Sequence, residues 1–265
     1  MLGLIRKIIL NFGGARIAQR PSIPIEQCVT HLPWGHPTIK PGHVFIGREG
    51  YVLSNDLEYK IPSWVSYRLT PNHAVGMAER SNAFTADMSL PKGQRAEPED
   101  YANTNFDKGH MACDADMRWD NTVERESFFM SNMSPQHGNL NRFVWKNLEV
   151  AVRAWTIKSN NDHIIYIGGI YDENDSTIGE NKVLIPHAFY KIIINAATNE
   201  GIVFVMPHVL PYEYPSDFRG FQSNISIVES ATAITFPVPN NINWLTPDKI
   251  WPVDVHVISE ASKNL

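Results

Sequence analysis

Cysteine is nearly absent from this 265-residue chain. Cys28 and Cys113 stand far apart and form no CxxC pair, which excludes a disulfide framework and a cysteine-based zinc site while leaving a single bridge between them open. Nor is there a run approaching the roughly 20 apolar residues that a bilayer span requires. An excess of positive charge is missing too: 23 Lys and Arg face 28 Asp and Glu, a formal net charge of −5. That balance argues against bulk attraction to polyanions, so any nucleic-acid partner must be held by a local site. Internal repeats and low-complexity stretches are also lacking. What remains is a chain with 43% hydrophobic and 19% charged residues and with dispersed Pro and Gly, the composition of a folded globular protein large enough for a full core.

The first twenty residues carry Arg6, Lys7, Arg16 and Arg20 and no acid, with Ile5, Ile8, Ile9 and Phe12 on one helical face. This pattern suits a short basic amphipathic helix, either packed or frayed, or one serving targeting or a membrane surface. Arg6 and Lys7 interrupt the apolar core that a secretory signal would need. Residues 21–43, rich in Pro and His, read as an extended arm, so that an N-terminal arm (1–43) precedes a main domain (44–265). Within 51–70 two aromatic and β-branched runs flank a polar turn, predicting a hairpin whose second strand is Trp64 to Leu69. Residues 79–105 read as a long loop, a feature that in compact domains is usually functional.

A helix is expected over 121–130. Leu140, Val144, Leu148, Ala151, Val152 and Trp155 then recur at three- and four-residue intervals, predicting one amphipathic helix over 140–157. Strand-like runs follow at 163–169, 182–195 and 201–208, with a turn joining the last two. Strands, then helices, then strands point to an α+β domain with a largely antiparallel central sheet flanked by helices. The tail from Pro237 reads as a closing segment.

The heptapeptide FDKGHMA, 106–112, sets a carboxylate, a cation, a glycine and an imidazole side by side. His110 by itself could be an ordinary hydrogen-bonded histidine, but Gly109 permits a close backbone approach and Asp107 can orient a ring or support the turn. Downstream, residues 131–149 present Asn132, Gln136, Asn139 and Asn141 and then Glu149, eight positions past Asn141. Asparagine at a helix start is commonly a cap, and Glu149 alone could be a solvated helix residue. Hard divalent cations take oxygen ligands, however, and magnesium needs only one or two from the protein, keeping waters for the rest. At 3.6 residues per turn Glu149 lies about 80° round the axis from Asn141, within reach of such an ion's water shell. An imidazole base with an oxygen-built metal site suggests phosphodiester hydrolysis. Asp114, Asp116 and Asp120 alternate as in a calcium loop but lack its Gly and closing Glu, so they read as solvated carboxylates. Trp119, Phe128 and Phe129 read as core aromatics more readily than as base-stacking platforms.

Taken together these residues resemble the sugar-non-specific DNA/RNA endonucleases with a ββα-metal active site, the endonuclease G-like group. Asp107-Lys108-Gly109-His110 matches the family's Asp-Arg-Gly-His, Ser131 to Gln136 its Ser-Asn-(Ile/Met)-(Ser/Thr)-Pro-Gln, and Leu140-Asn141, Trp145, Leu148 and Glu149 the helix that follows. Similar stretches run from about residue 44 to 236. The resemblance implies His110 as general base, Asn141 as direct Mg2+ ligand and Glu149 as a contact to the metal through water, with Mn2+ or another divalent ion as a substitute. It further implies Arg80 on the scissile phosphate, with Arg95 as a rival, Asn132 orienting the site, and Asp107 supporting it. Lys108 departs from the family's arginine and keeps the charge without the bidentate fork.

DNA and RNA substrates, 5′-phosphate products and a homodimer are implied in the same way. A catalytically weakened binding module and a small-nucleotide phosphodiesterase are the competing readings. Residues 80–158 carry ten Lys and Arg against eleven Asp and Glu, so no basic stripe is visible. Binding to nucleic acid is therefore expected to show a shallow dependence on salt, measurable as the slope of log K against log salt concentration.

Overall fold

The computed structural model describes residues 19–208 and 213–252. The helix expected over the first twenty residues lies, apart from Gln19 and Arg20, outside them.

Two apolar runs, His163–Ile170 (HIIYIGGI) and Ala188–Asn195 (AFYKIIIN), are buried along their whole length. Strands apolar on both faces need cover on both faces, and that requirement organises the molecule. The strands in chain order are β1 (His43–Gly47), β2 (Val52–Asp56), β3 (Pro62–Leu69), β4 (Phe106–His110), β5 (Met133–His137) and β6 (His163–Ile170). They continue with β7 (Thr177–Ile178), β8 (Val183–Leu184), β9 (Ala188–Asn195), β10 (Glu200–Pro207), β11 (Gln222–Ser223) and β12 (Asn243–Trp244). The helices are α1 (Asp114–Met117), α2 (Asn121–Ser127), α3 (Lys146–Ser159) and α4 (Ile225–Thr232).

The main sheet runs β1-β2-β3-β6-β9-β10-β11, antiparallel throughout, and β12 joins β10 in parallel. Its two faces bury separate cores. On one, Val65, Tyr67, Ile165, Ile167, Phe189 and Ile193 meet Leu140, Val144, Leu148, Ala151, Val152 and Trp155 of the helical segment. Each such aliphatic or aromatic side chain contributes about 1.5–3 kcal/mol by leaving water. On the other, Trp64, Tyr166, Tyr190 and Ile192 meet Val228 of α4, Phe236 of the tail, and Cys28 and Leu32. The α+β reading with an antiparallel sheet and flanking helices is thus the observed architecture. Residues 21–42 are more than an extended arm: they include a 3-10 turn at Ile25–Gln27 and bury Cys28 and Leu32 against the sheet. Cys28 and Cys113 are both free. No helix among the described residues is long and apolar enough to cross a membrane.

The strand expected over 182–195 is split at Pro186 into β8 and β9, because a proline cannot donate to the ladder. The single amphipathic helix expected from residue 140 is also divided. Leu140–Trp145 is π-helical and only then does α3 begin, ending at Asn160 in a left-handed cap with φ 53°.

Strands β4 and β5 form a separate two-stranded ribbon in register Asp107↔Gln136 and Gly109↔Ser134, and the helical segment follows directly. This strand-strand-helix unit sits on the sheet through the core that contains Trp145 and Leu148. The long loop before it is held by a fully buried ion pair: Arg48 Nη2 donates to both oxygens of Asp87 at 2.8 and 2.9 Å, and Ser131 Oγ donates to Asp87 at 2.6 Å. Gly109 is required by close approach, since a Cβ there would lie 2.1 Å from Gln136 Oε1 and 2.5 Å from its Cδ. Gly109→Ala is therefore expected to force the ribbon apart and cost about 1–3 kcal/mol, read as a lower urea midpoint with an unchanged slope.

Candidate active site

His110 closes β4, and the chain after it is pinned by Asn132. The Asn132 amide oxygen accepts from the Ala112 N–H at 2.8 Å, and its Nδ2 donates to the carbonyls of Ala112 at 2.9 Å and Ser127 at 2.8 Å. With its amide fully engaged and the side chain buried, Asn132 fixes the backbone beyond the imidazole.

The imidazole itself sits among aromatic rings. Phe128 meets it edge to face at 4.7 Å between centroids, and Phe84 lies at 5.7 Å. Its Nε2 is buried without a hydrogen-bond partner, and Nδ1 has no protein partner among the described residues either. Burial lowers its pKa to about 4, with Asp114 opposing the shift and Arg80 assisting it. His110 is thus neutral at physiological pH, the form that can accept a proton.

Arg80 belongs to this neighbourhood. Its Nη1 pairs with Asp114, its Nε donates to Asn82 at 2.7 Å, and its guanidinium lies 5.2 Å from the centroid of Phe128, with the side chain about one third exposed. Arg95 is elsewhere engaged: it is buried, donates to the Leu90 carbonyl and pairs with Glu97. Lys108 projects over Phe84 at 5.2 Å and Tyr101 at 5.3 Å, a cation-π setting that leaves it on the His110 side of the ribbon. Asp114 and Asp116 are not solvated carboxylates. Both are buried, because Asp114 joins Arg80 to Arg118 while Asp116 joins Arg153 to the Tyr67 hydroxyl. Asp120 caps α2. Phe128 is wholly buried, Phe129 lies beneath Arg48, and Trp119 stacks on His73 at 4.3 Å, so none is an open platform.

On the other face of the ribbon, Asp107 accepts from Asn141 Nδ2 at 3.0 Å and from Arg142 Nε at 2.8 Å, with Arg142 Nη2 completing a bidentate pair. Burial pushes the Asp107 carboxyl up, and Arg142 with Asn141 more than offsets this, leaving its pKa low. Because the Asn141 NH2 is committed to Asp107, its amide oxygen is the atom left for a ligand.

Glu149 stands on α3 in a different setting. Lys191 Nζ is 3.7 Å from its Oε1, and its other neighbours are Cys113 and Arg153. Burial raises the Glu149 pKa, with Lys191 and Arg153 opposing. The π turn alters its phase relative to Asn141. A π turn takes about one residue more than an α turn, so one of each spans roughly eight residues. Asn141 and Glu149 therefore fall nearer one line along the helix than the 80° expected from a uniform α-helix.

Lys191 and Arg142 escape a reading of the sequence. Lys191 had one signal, a lone lysine in the apolar run FYKIIIN at a position sharing its face with Phe189 and Ile193. It is fully buried and also lies 4.8 Å from the Trp145 ring centroid. His137, at the end of β5, stacks on Phe106 and donates its backbone N–H to His208 Nε2 at 2.7 Å. A further set, Asp172, Asp175 and His187, places ligand atoms within 4.8 Å of one another on the surface after β6.

A ribbon ending in a half-buried histidine whose Nε2 is enclosed, followed by a helix that carries an asparagine and a glutamate, is the arrangement of the ββα-metal nuclease fold. The chain belongs to the DNA/RNA non-specific endonuclease family, whose model matches residues 38–240. It is 31% identical over 206 residues to the mitochondrial endonuclease G of Homo sapiens, spanning 73% of this chain and 69% of that protein. Nuclease C1 of Cunninghamella echinulata is 27% identical over 208 residues, 72% of this chain and 82% of its own length. Among solved structures, an EndoG/EndoGI complex described as showing the mechanism of EndoG inhibition superposes with a TM-score of 0.71 at 27% identity, covering 79% of this chain and 90% of that one.

His31, His163 and His208 share the condition of His110, each lowered to about 4 chiefly by burial. Unfolding raises these groups back toward 6.5, so between about pH 6.5 and 4 the unfolded chain binds more protons than the folded one. Stability is expected to be full above pH 6.5 and to fall as pH drops through that window, by up to roughly 3 kcal/mol per ring. Urea midpoints measured from pH 7.5 to 4.5 check this, and a flat profile would contradict it.

Proposed function

We propose that the chain hydrolyses phosphodiester bonds of DNA and RNA with little sequence preference, with His110 as general base and Mg2+, or Mn2+ in its place, as cofactor. The observation that carries this reading is the neutral imidazole of His110, without a hydrogen-bond partner among the described residues, flanked by an arginine and seated in the same ribbon that fixes Asn141. The residues suit a hard cation: the Asn141 amide oxygen as direct ligand and Glu149 through water form an all-oxygen set. When bound, such an ion supplies positive charge to the phosphate and to the leaving oxygen.

His110 Nδ1 takes a proton from a water molecule, while Nε2 keeps its hydrogen within the aromatic enclosure. The water oxygen bonds to phosphorus as the bond to the 3′ oxygen breaks; that oxygen leaves with the bonding pair and takes a proton from solvent, so the phosphate remains on the 5′ end of the product. Arg80 offers its guanidinium to the phosphate, where a partly desolvated donor is worth more than in water. Asn132 positions the backbone after the base, and Asp107 orients Asn141. Lys108 adds charge without a planar fork. A homodimer is part of the same proposal.

Incubation of supercoiled plasmid and structured RNA with Mg2+ or EDTA, for the wild type and His110→Ala, tests the reading. Cleavage should require Mg2+ and fall by about 10²–10⁴-fold in the variant, with circular dichroism unchanged. Undiminished cleavage by a folded His110→Ala protein would place the base elsewhere.

A further inference from the structure

Beside Asn141 the surface opens into a cleft of about 510 Å³ lined by Thr104, Asn105, Asp107, Gly138, Arg142 and Phe143, among others. Two of these side chains have properties that the reaction above leaves unused. Phe143 is 62% exposed, on the same π turn that buries Leu140, Val144 and Trp145. Arg142 is two-thirds exposed yet held in one orientation, since Nε and Nη2 both donate to Asp107 and Gly138 lies flat beneath the pair. A Cβ at Gly138 would come within 3.3 Å of Arg142 Nε and 3.5 Å of Asp107 Oδ2. The two N–H bonds of Nη1 have no partner among the described residues.

We infer that this cleft is a subsite for an unpaired nucleotide of the substrate, in which Phe143 stacks a base and Arg142 Nη1 contacts a backbone phosphate. The inference rests on the nuclease reading for the identity of its ligand. Stacking needs a base with a free face, which an unpaired nucleotide offers and a duplex interior does not. A guanidinium already fixed by a carboxylate loses little freedom on meeting a phosphate, and its remaining donors point away from the existing pair. Arg142, Asn141 and Phe143 are consecutive, so a nucleotide seated here lies next to the phosphate presented to the proposed ion. The chain should therefore favour single strands, loops and ends over duplex interiors.

The test is fluorescence polarisation in EDTA with a labelled single-stranded 12-mer, the same strand made abasic, and a duplex. Wild type and Phe143→Ala are compared, the latter a surface change that should fold. Removing the ring should weaken binding of the base-bearing strand by about ten-fold and affect the abasic strand and duplex far less, with Phe143→Trp restoring affinity. Arg142→Gln should weaken all three and reduce the salt slope by about one. Equal affinities of wild type and Phe143→Ala for the base-bearing strand, or an equal loss on all three ligands, would overturn the subsite. Plasmid cleavage with Mg2+ is assayed alongside: its absence with the binding pattern intact would count against the proposed hydrolysis and leave the subsite standing.

Discussion

Between α3 and the main sheet lies a group of four charges that ties the helical segment to the sheet. Glu149 and Arg153 come from the helix, Lys191 from the middle of β9, and Asp116 from α1. Two acids and two bases cancel, which is the condition under which buried ions are tolerated. Apolar contacts alone would hold the helix against the sheet, but they would permit it to slide or turn by a side chain. Lys191 removes that freedom, because its ammonium must meet Glu149 and the Trp145 ring together. Removing any single member would leave an uncompensated charge in the core, a larger penalty than the pair itself is worth.

Desolvation has opposite results in two neighbouring places. Around His110 it strips the imidazole of solvation and keeps it neutral, while the arginine beside it works in the same direction. Around Asp107 it is outweighed by Arg142 and Asn141, and the carboxylate stays charged. The two faces of one short ribbon thus hold a neutral acceptor and an anion only three residues apart. Gly109 between them permits this, as the Gln136 side chain fills the space that a Cβ would occupy.

Much of this was legible in the sequence, for identifiable reasons. The β2–β3 hairpin and the run at 163–170 follow from β-branched and aromatic residues bounded by turn signals, and the buried face of the 140–157 segment follows from helical periodicity. The ribbon strands did not show themselves: FDKGH and MSPQH have neither alternation nor β-branched residues, and only their likeness to family motifs marked them. The π turn was hidden because its apolar spacing also fits an α-helix. In the sequence Asp114 and Asp116 look solvated because the arginines that neutralise them, Arg80, Arg118 and Arg153, gather only on folding. Arg95 and Arg80 are equivalent in the sequence, whereas in the fold Arg95 is buried against Glu97 and Arg80 stands beside His110 and Phe128.

The outer side of β10 carries a wider consequence. Residues 200–201 pair with β12 and residues 203–204 with β11, each only two residues long and the two running in opposite directions. An apolar strand such as GIVFVM, left bare, would template stacking of further chains into fibrils. Two short caps of opposite sense satisfy part of its hydrogen bonding and offer no long continuous strand on which another copy could register. The tail that brings β12 into place thereby works as a guard against aggregation, and a chain shortened before Asn243 would keep the ribbon and the helix after it while losing part of that protection.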